Sequence, residues 1–208
     1  DSALMVLESI SPSDVKGKET SARYALLKSM ALDKNCIDTT TFNVLQPAID
    51  YYIEHGSPDE QLRTYYYKGR IYQNQDNNDL AMQSFMRGKE FCQEASDTLT
   101  MANLMVAQAT IQYRIYKIDD FIKNNLEAAN LYSSIGRTDY ELLSLANALD
   151  GGILNNDKSL SDSVWNIAKQ RVSENPDLGS IIVPYELSYA LKFGNKEDVI
   201  GILNHRES

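Results

Sequence analysis

Nowhere in this 208-residue sequence do two Lys or Arg residues stand side by side. The 20 Lys and Arg residues face 29 Asp and Glu, a formal net charge of −9. Nucleic acid is held by a cationic face that displaces counterions, and no such face is written here. DNA, RNA and anionic membrane surfaces are therefore set aside as partners of this segment. No apolar run approaches the roughly 18 residues that a bilayer-crossing helix needs. Nor does a charged start run into an apolar stretch, as in a signal peptide. Cysteine is scarce: Cys36 and Cys92 make no disulfide framework, and free thiols are expected. Histidine is limited to His55 and His205, with no H-E-x-x-H, C-x-x-C or G-x-S-x-G. The usual routes to a metal site or an activated nucleophile are missing, so no metal, no cofactor and no enzymatic activity are expected. Adjacent acids at Asp59-Glu60, Asp119-Asp120 and Glu197-Asp198 fall at helix starts, where the dipole favours anions without any acid–base role.

What the chain does contain is helical periodicity. Apolar residues recur at Ala22, Leu26, Leu27, Met30 and Ala31, and the pattern predicts a helix over 18–34. Ser2 is expected to cap a short helix over 3–10, ended by Pro12. Thr40 or Thr41 is expected to cap a helix running through Phe42, Leu45 and Ile49 to Ile53, with Pro47 inside its first turns. Further helices are expected over 58–75, 79–95, 99–116, 119–135, 138–155, 160–174, 180–193 and 196–204. Asn175-Pro176-Asp177 marks a possible packing break near 175–179 in an otherwise single domain over 1–208. The chain opens at Asp1-Ser2-Ala3-Leu4 already in helical pattern, as a piece of a longer protein would.

The stretch 63–88, RTYYYKGRIYQNQDNNDLAMQSFMRG, organises the rest. Gly69 and Ala81 are small enough to let two helices approach, and Tyr72 and Phe85 fill the space around them. ARYALLKSMALDKN at 22–35 meets LRTYYYKGRIYQNQ at 62–75 with an offset of 40. Extending that alignment sets Ser29, Gly69, Thr110 and Gly151 in one column. Thr41, Ala81, Ile122 and Ser163 form the next, and Leu45, Phe85, Leu126 and Ile167 the third. The steps between units are 40, 41 and 41 residues.

Gly69, Tyr72, Ala81 and Phe85 resemble the glycine, tyrosine, alanine and phenylalanine positions of a tetratricopeptide repeat. The resemblance implies an all-α, right-handed α-solenoid of antiparallel helix pairs, here with repeats of about 40 residues instead of 34. SALMVLESI, ARYALLKSMALDKN, LQPAIDYYIEHG and YYYKGRIY are further similar to envelope proteins of this kind from Bacteroides-type bacteria. That likeness implies a cell-envelope location, as a lipoprotein or membrane-anchored extracytoplasmic chain whose anchor lies outside this segment. A cytoplasmic location stays open beside it.

In the tetratricopeptide arrangement the first helix of each pair lines a concave groove. Carried over by position, the groove candidates are Arg23, Arg63, Tyr66, Arg70, Gln73, Gln108 and Arg114. Arginine grips carboxylates through paired hydrogen bonds and tyrosine adds rigid contact area, so the expected partner is a protein or peptide, with an acidic segment or C-terminus favoured. Ion pairing with the chain's own acids is the alternative for these arginines. The function expected is a non-enzymatic protein–protein interaction scaffold. The alternative is a sensory or regulatory input domain of a longer membrane-anchored bacterial protein.

Overall fold

A computed structural model describes residues 2–11 and 13–206, with side chains as far as residue 203. Pro12, expected to end the first helix, lies outside the described residues, as does the side chain of His205. Every regular element among the described residues is helical: α1 Ser2–Ser9, α2 Lys18–Lys34, α3 Gln46–His55, α4 Pro58–Asn74, α5 Asn78–Lys89, α6 Thr98–Arg114, α7 Ile118–Ser134, α8 Thr138–Leu154, α9 Lys158–Glu174, a 3-10 helix Pro176–Ile181, α10 Val183–Phe193 and α11 Lys196–Arg206. The chain divides into two compact units, 1–107 and 108–208, with the division inside α6. The stretch expected as a break at 175–179 forms most of the 3-10 helix within the second unit.

The spacing is more regular than the sequence alignment implies. α2, α4, α6 and α8 start at 18, 58, 98 and 138, each 17 residues long and 40 apart. α5, α7 and α9 start at 78, 118 and 158. Five of the six 17-residue helices, all but α9, are closed by the same device, a left-handed residue at Cys36, Asp76, Tyr116, Gly136 or Asn156. The next N–H then reaches back across the last turn: Ile37 to Leu32, Asn77 to Tyr72, Lys117 to Gln112, Arg137 to Tyr132 and Asp157 to Gly152, at 2.8–3.0 Å. This is the Schellman arrangement, which satisfies the end carbonyls and turns the chain within three residues. Only one of the five positions is glycine, so the motif is hard to see in sequence.

These turns fix the repeat at 40 residues throughout and correct the 41-residue steps. The column through Gly69 continues to Ala109 and Leu149, both buried, not to Thr110, which is exposed. The column through Phe85 continues to Asn125 and Trp165, not to Leu126 and Ile167, and the one through Ala81 to Phe121 and Ser161, not to Ile122 and Ser163. A one-residue slip rotates a helical position by about 100°, enough to turn a core residue to solvent. Ser163 and Ile167 are in fact exposed. The Gly151-Gly152 pair drew the alignment off because both glycines are contact points. A Cβ on Gly151 would lie 2.4 Å from Ile122 Cγ1, and one on Gly152 would lie 2.6 Å from Ser161 Oγ, so the pair lets α8 approach α7 and α9 together.

The helix expected from Thr40 or Thr41 starts five residues later, at Gln46. Pro47 sets that start: it lacks the donor a helix interior needs and suits the first turn. The preceding loop has its own partners, since Asn74 Nδ2 donates to the Thr39 carbonyl (3.0 Å) and Gln75 Nε2 to that of Thr40 (2.7 Å). α5 also stops short, at Lys89, before a run of turns.

Core packing follows these columns within each unit. In the first, Ala22, Ala25, Leu26, Leu45, Ala48, Tyr52 and Ile71 form one cluster. In the second, Leu142, Leu145, Leu149, Val164, Trp165 and Ala168 form another, closed by Ile182.

Candidate functional site

α4 is held at its start by a capping box. Ser57 Oγ accepts from the Glu60 N–H and Glu60 Oε2 accepts from the Ser57 N–H at 2.8 Å. From that fixed origin Asp59, Arg63, Tyr66, Arg70 and Gln73 fall at steps of three and four, along one stripe of the helix. The Asp59 carboxylate accepts from Ser96 N (2.6 Å), Ser96 Oγ (2.7 Å) and Asp97 N (2.9 Å). Arg63 Nε donates to Asp97 Oδ2 at 2.5 Å, and Asp97 also takes the Thr100 N–H at 3.1 Å as the cap of α6. Two turns of α4 thus hold the entry to α6. Burial alone would push the Asp59 carboxyl up, but the Ser96 hydroxyl, the two backbone donors and Arg63 outweigh it and hold it below the usual carboxylate range. A depressed folded value means stability present above that range and lost as acid protonates the group.

Further along the stripe, Arg70 Nε reaches Asp33 Oδ1 of α2 at 3.4 Å and its Nη1 reaches Gln73 Oε1 at 3.2 Å. Gln73 Nε2 in turn donates to the Ala107 carbonyl at 3.1 Å. Arg63, Arg70 and Gln73 therefore come together, but as ties between helices. Tyr66 is buried against Phe85 and Tyr67, and Arg23 stands exposed on α2. In the second unit Gln108 is buried, its Oε1 accepting from Asn124 Nδ2 at 3.5 Å, while Arg114 is exposed at the end of α6. Tyr66 and Gln108 thus do not present the surface that the sequence assigns to them. Neighbouring carboxylates and amides take up most of the polar groups of this stripe.

The opposite side of α4 carries what the sequence reading missed. Tyr65, Lys68 and Tyr72 line an open groove of about 480 Å³ against α5, whose Leu80, Met86 and Arg87 form the other wall. Both rings are braced from behind. Tyr65 stacks on Phe91 with centroids 5.9 Å apart, and Tyr72 meets Phe42 edge-on at 5.0 Å. Met86, in the last turn of α5, is 60% exposed. The available signal was Tyr65, Lys68 and Tyr72 at helical spacing, together with two large apolar residues on α5 outside every core column.

The second unit holds a half-buried carboxyl, Asp150, raised by burial and partly relieved by the Tyr113 hydroxyl that bonds to it. Neither Cys36 nor Cys92 is in a disulfide, and His55 is the last residue of α3. Among the described residues no group of three or more His, Cys, Asp or Glu is placed to hold a metal ion. No helix among them is long and apolar enough to cross a membrane.

Tyrosine burial sets a pH dependence. Burial first, then the Glu60 carboxylate, pushes Tyr52 up to about 12. Burial and Asp162 do the same to Tyr189, also to about 12, and burial drives Tyr67 and Tyr132 higher still. A raised folded value means that these phenols add stability in full below the unfolded value near 10, and lose it as pH climbs. A tyrosinate absorbance titration is expected to show a late fraction that ionises only as the helical circular dichroism collapses. One transition near 10 with the helix signal intact would contradict this packing.

No protein-family model, curated protein or solved structure matches this chain.

Proposed function

We propose that this chain is a non-enzymatic helical-repeat scaffold of the tetratricopeptide type, a right-handed solenoid that holds a segment of a protein partner at a cell-envelope location. The α4–α5 groove supports this most: a helix face with two braced tyrosine rings and a 60% exposed methionine, left over after the packing columns are filled. Rigid aromatic walls beside an adaptable thioether suit contact with a peptide. The 40-residue register, with its repeated turn, supports the solenoid part of the reading.

Photo-crosslinking tests it. A photoreactive residue at Gln83, exposed at the groove, is compared with one at Gln170, exposed on α9, in native cell-envelope extract. One protein captured from Gln83 and not from Gln170 is the expected result. Capture from Gln170 alone keeps the scaffold but moves its site, and capture from neither removes the scaffold reading.

A further inference from the structure

We propose that the α4–α5 groove takes an acidic, apolar-rich segment of another protein, one carboxylate of which pairs with Lys68 while an aromatic or aliphatic side chain rests on Met86 and the two tyrosines. This rests on the scaffold reading above and names its ligand class.

In the first unit Arg63 is taken by Asp97, Arg70 by Asp33 and Arg87 by Glu90, at 2.5, 3.4 and 3.2 Å. Lys68 has no such partner among the described residues. Its ammonium lies 6.0 Å from the centroid of the Tyr65 ring. Lys28, one repeat earlier, is likewise half-buried and lies 5.8 Å from the Tyr24 ring centroid, so what distinguishes Lys68 is its place on the groove wall beside Tyr65 and Tyr72. The groove's charged lining is Lys68, Arg87 and Glu90, so its net charge is +1 against −9 for the whole chain.

The two charges act at different ranges. Screening limits the field of distant surface carboxylates to about 8 Å at physiological salt, whereas a ligand carboxylate in contact with Lys68 feels it at hydrogen-bond distance. The local cation therefore decides what docks. A cationic ligand is disfavoured because Lys68 already covers the Tyr65 face and Arg87 already neutralises Glu90. The Arg87–Glu90 pair is itself 67% and 59% exposed and contributes little, so an incoming carboxylate can share Arg87 as well. The floor is apolar: Leu80, Met86 and the rings of Tyr65 and Tyr72 offer nothing to a purely polar chain.

The test uses the full chain on an array of dodecapeptides that combine Asp or Glu with Phe, Leu or Met. Each has one copy with Lys at every acidic position and another with Ser at every apolar position. An oligothymidine probe is included. Acidic, apolar-rich peptides are expected to be retained over both copies. In anisotropy titrations of the strongest, Lys68→Gln is expected to weaken binding about tenfold or more, the loss of a charge-assisted hydrogen bond. Lys68→Arg is expected to restore most of it, and Met86→Asp to abolish it, with thermal melts confirming that each variant folds. Retention indifferent to peptide charge, or unchanged in Lys68→Gln and Met86→Asp, overturns the groove assignment but leaves the scaffold. Preference for oligothymidine, or sedimentation of the wild type as a dimer closed by Met86, overturns it in favour of nucleic acid or a second copy. If no peptide is retained, this proposal falls, and the Gln83 and Gln170 crosslinks decide separately whether the scaffold falls with it.

Discussion

Gly69→Ala is expected to destabilise the protein, although the same substitution in an ordinary helix interior stabilises by about 1 kcal/mol. A Cβ at position 69 would lie 2.3 Å from Phe85 Cε1 and 2.6 Å from Cδ1, inside any real contact distance. Phe85 is fully buried and its ring rests against Tyr66, so it has no free side to turn toward. Overpacking of this kind costs about 1–3 kcal/mol, which outweighs the propensity gain. Gly69→Leu is expected to cost at least as much. Phe85→Ala alone opens a cavity beside the glycine and is expected to cost about 3–5 kcal/mol. Gly69→Ala with Phe85→Leu should recover part of the loss, because the smaller side chain vacates the space that the new methyl needs, and the pair should be non-additive. Urea midpoints followed by circular dichroism measure all four variants. A Gly69→Ala protein more stable than the wild type would mean that α4 and α5 do not touch at this point.

That Gly69–Phe85 contact was legible because it depends on one small residue, one ring and a tight turn, all local in sequence. The boundaries of α2 were legible for the same reason: an apolar period of three and four with polar flanks. The register of the later units was not. Its marker is backbone conformation at Tyr116 and Asn156, and a left-handed tyrosine has no sequence signature. Small residues stood in for the missing marker, and Gly151 lies two positions beyond the Leu149 that occupies the true column. The arginine stripe shows a different limit. Periodicity placed Arg63 and Arg70 on one face, but Asp97 and Asp33 lie 34 and 37 residues away, and only the fold reveals that they arrive there. Arg63→Glu or Arg70→Glu would set acid against acid at a helix junction, so these changes disturb packing and cannot isolate binding. The groove joins Tyr65, Lys68 and Tyr72 of α4 to Leu80 and Met86 of α5, and the spacing within one helix does not record which residues of the next will face it.

Removing Arg171 is expected to cost about 3–5 kcal/mol, the usual penalty for stranding a buried charge. Glu141 enters the first turn of α8 with its side chain only 7% exposed, and Arg171 Nε of α9 meets its Oε1 at 2.8 Å. Arg171 also reaches Glu174 Oε2 at 3.3 Å and Ser133 Oγ at 3.5 Å, so its guanidinium joins two helices to the end of a third. Without it the Glu141 carboxylate keeps only the favourable end of the α8 dipole, worth about 0.3–1 kcal/mol, against a desolvation cost of several. The exposed pair Lys158–Asp162, at 2.7 Å, supplies a contrast within the same unit. Its distance is shorter, yet Lys158→Ala is expected to change stability by less than about 1 kcal/mol, since water screens both partners. Glu141→Leu with Arg171→Met should return close to wild-type stability, because it removes the stranded charge together with the cation that served it. Chemical denaturation of the three variants separates the possibilities. Equal losses for Arg171→Ala and Lys158→Ala would mean that burial of Glu141 does not govern the pair, and an Arg171→Met, Glu141→Leu protein as unstable as Arg171→Ala would mean that the ion pair itself, not relief from an unpaired charge, holds α8 to α9.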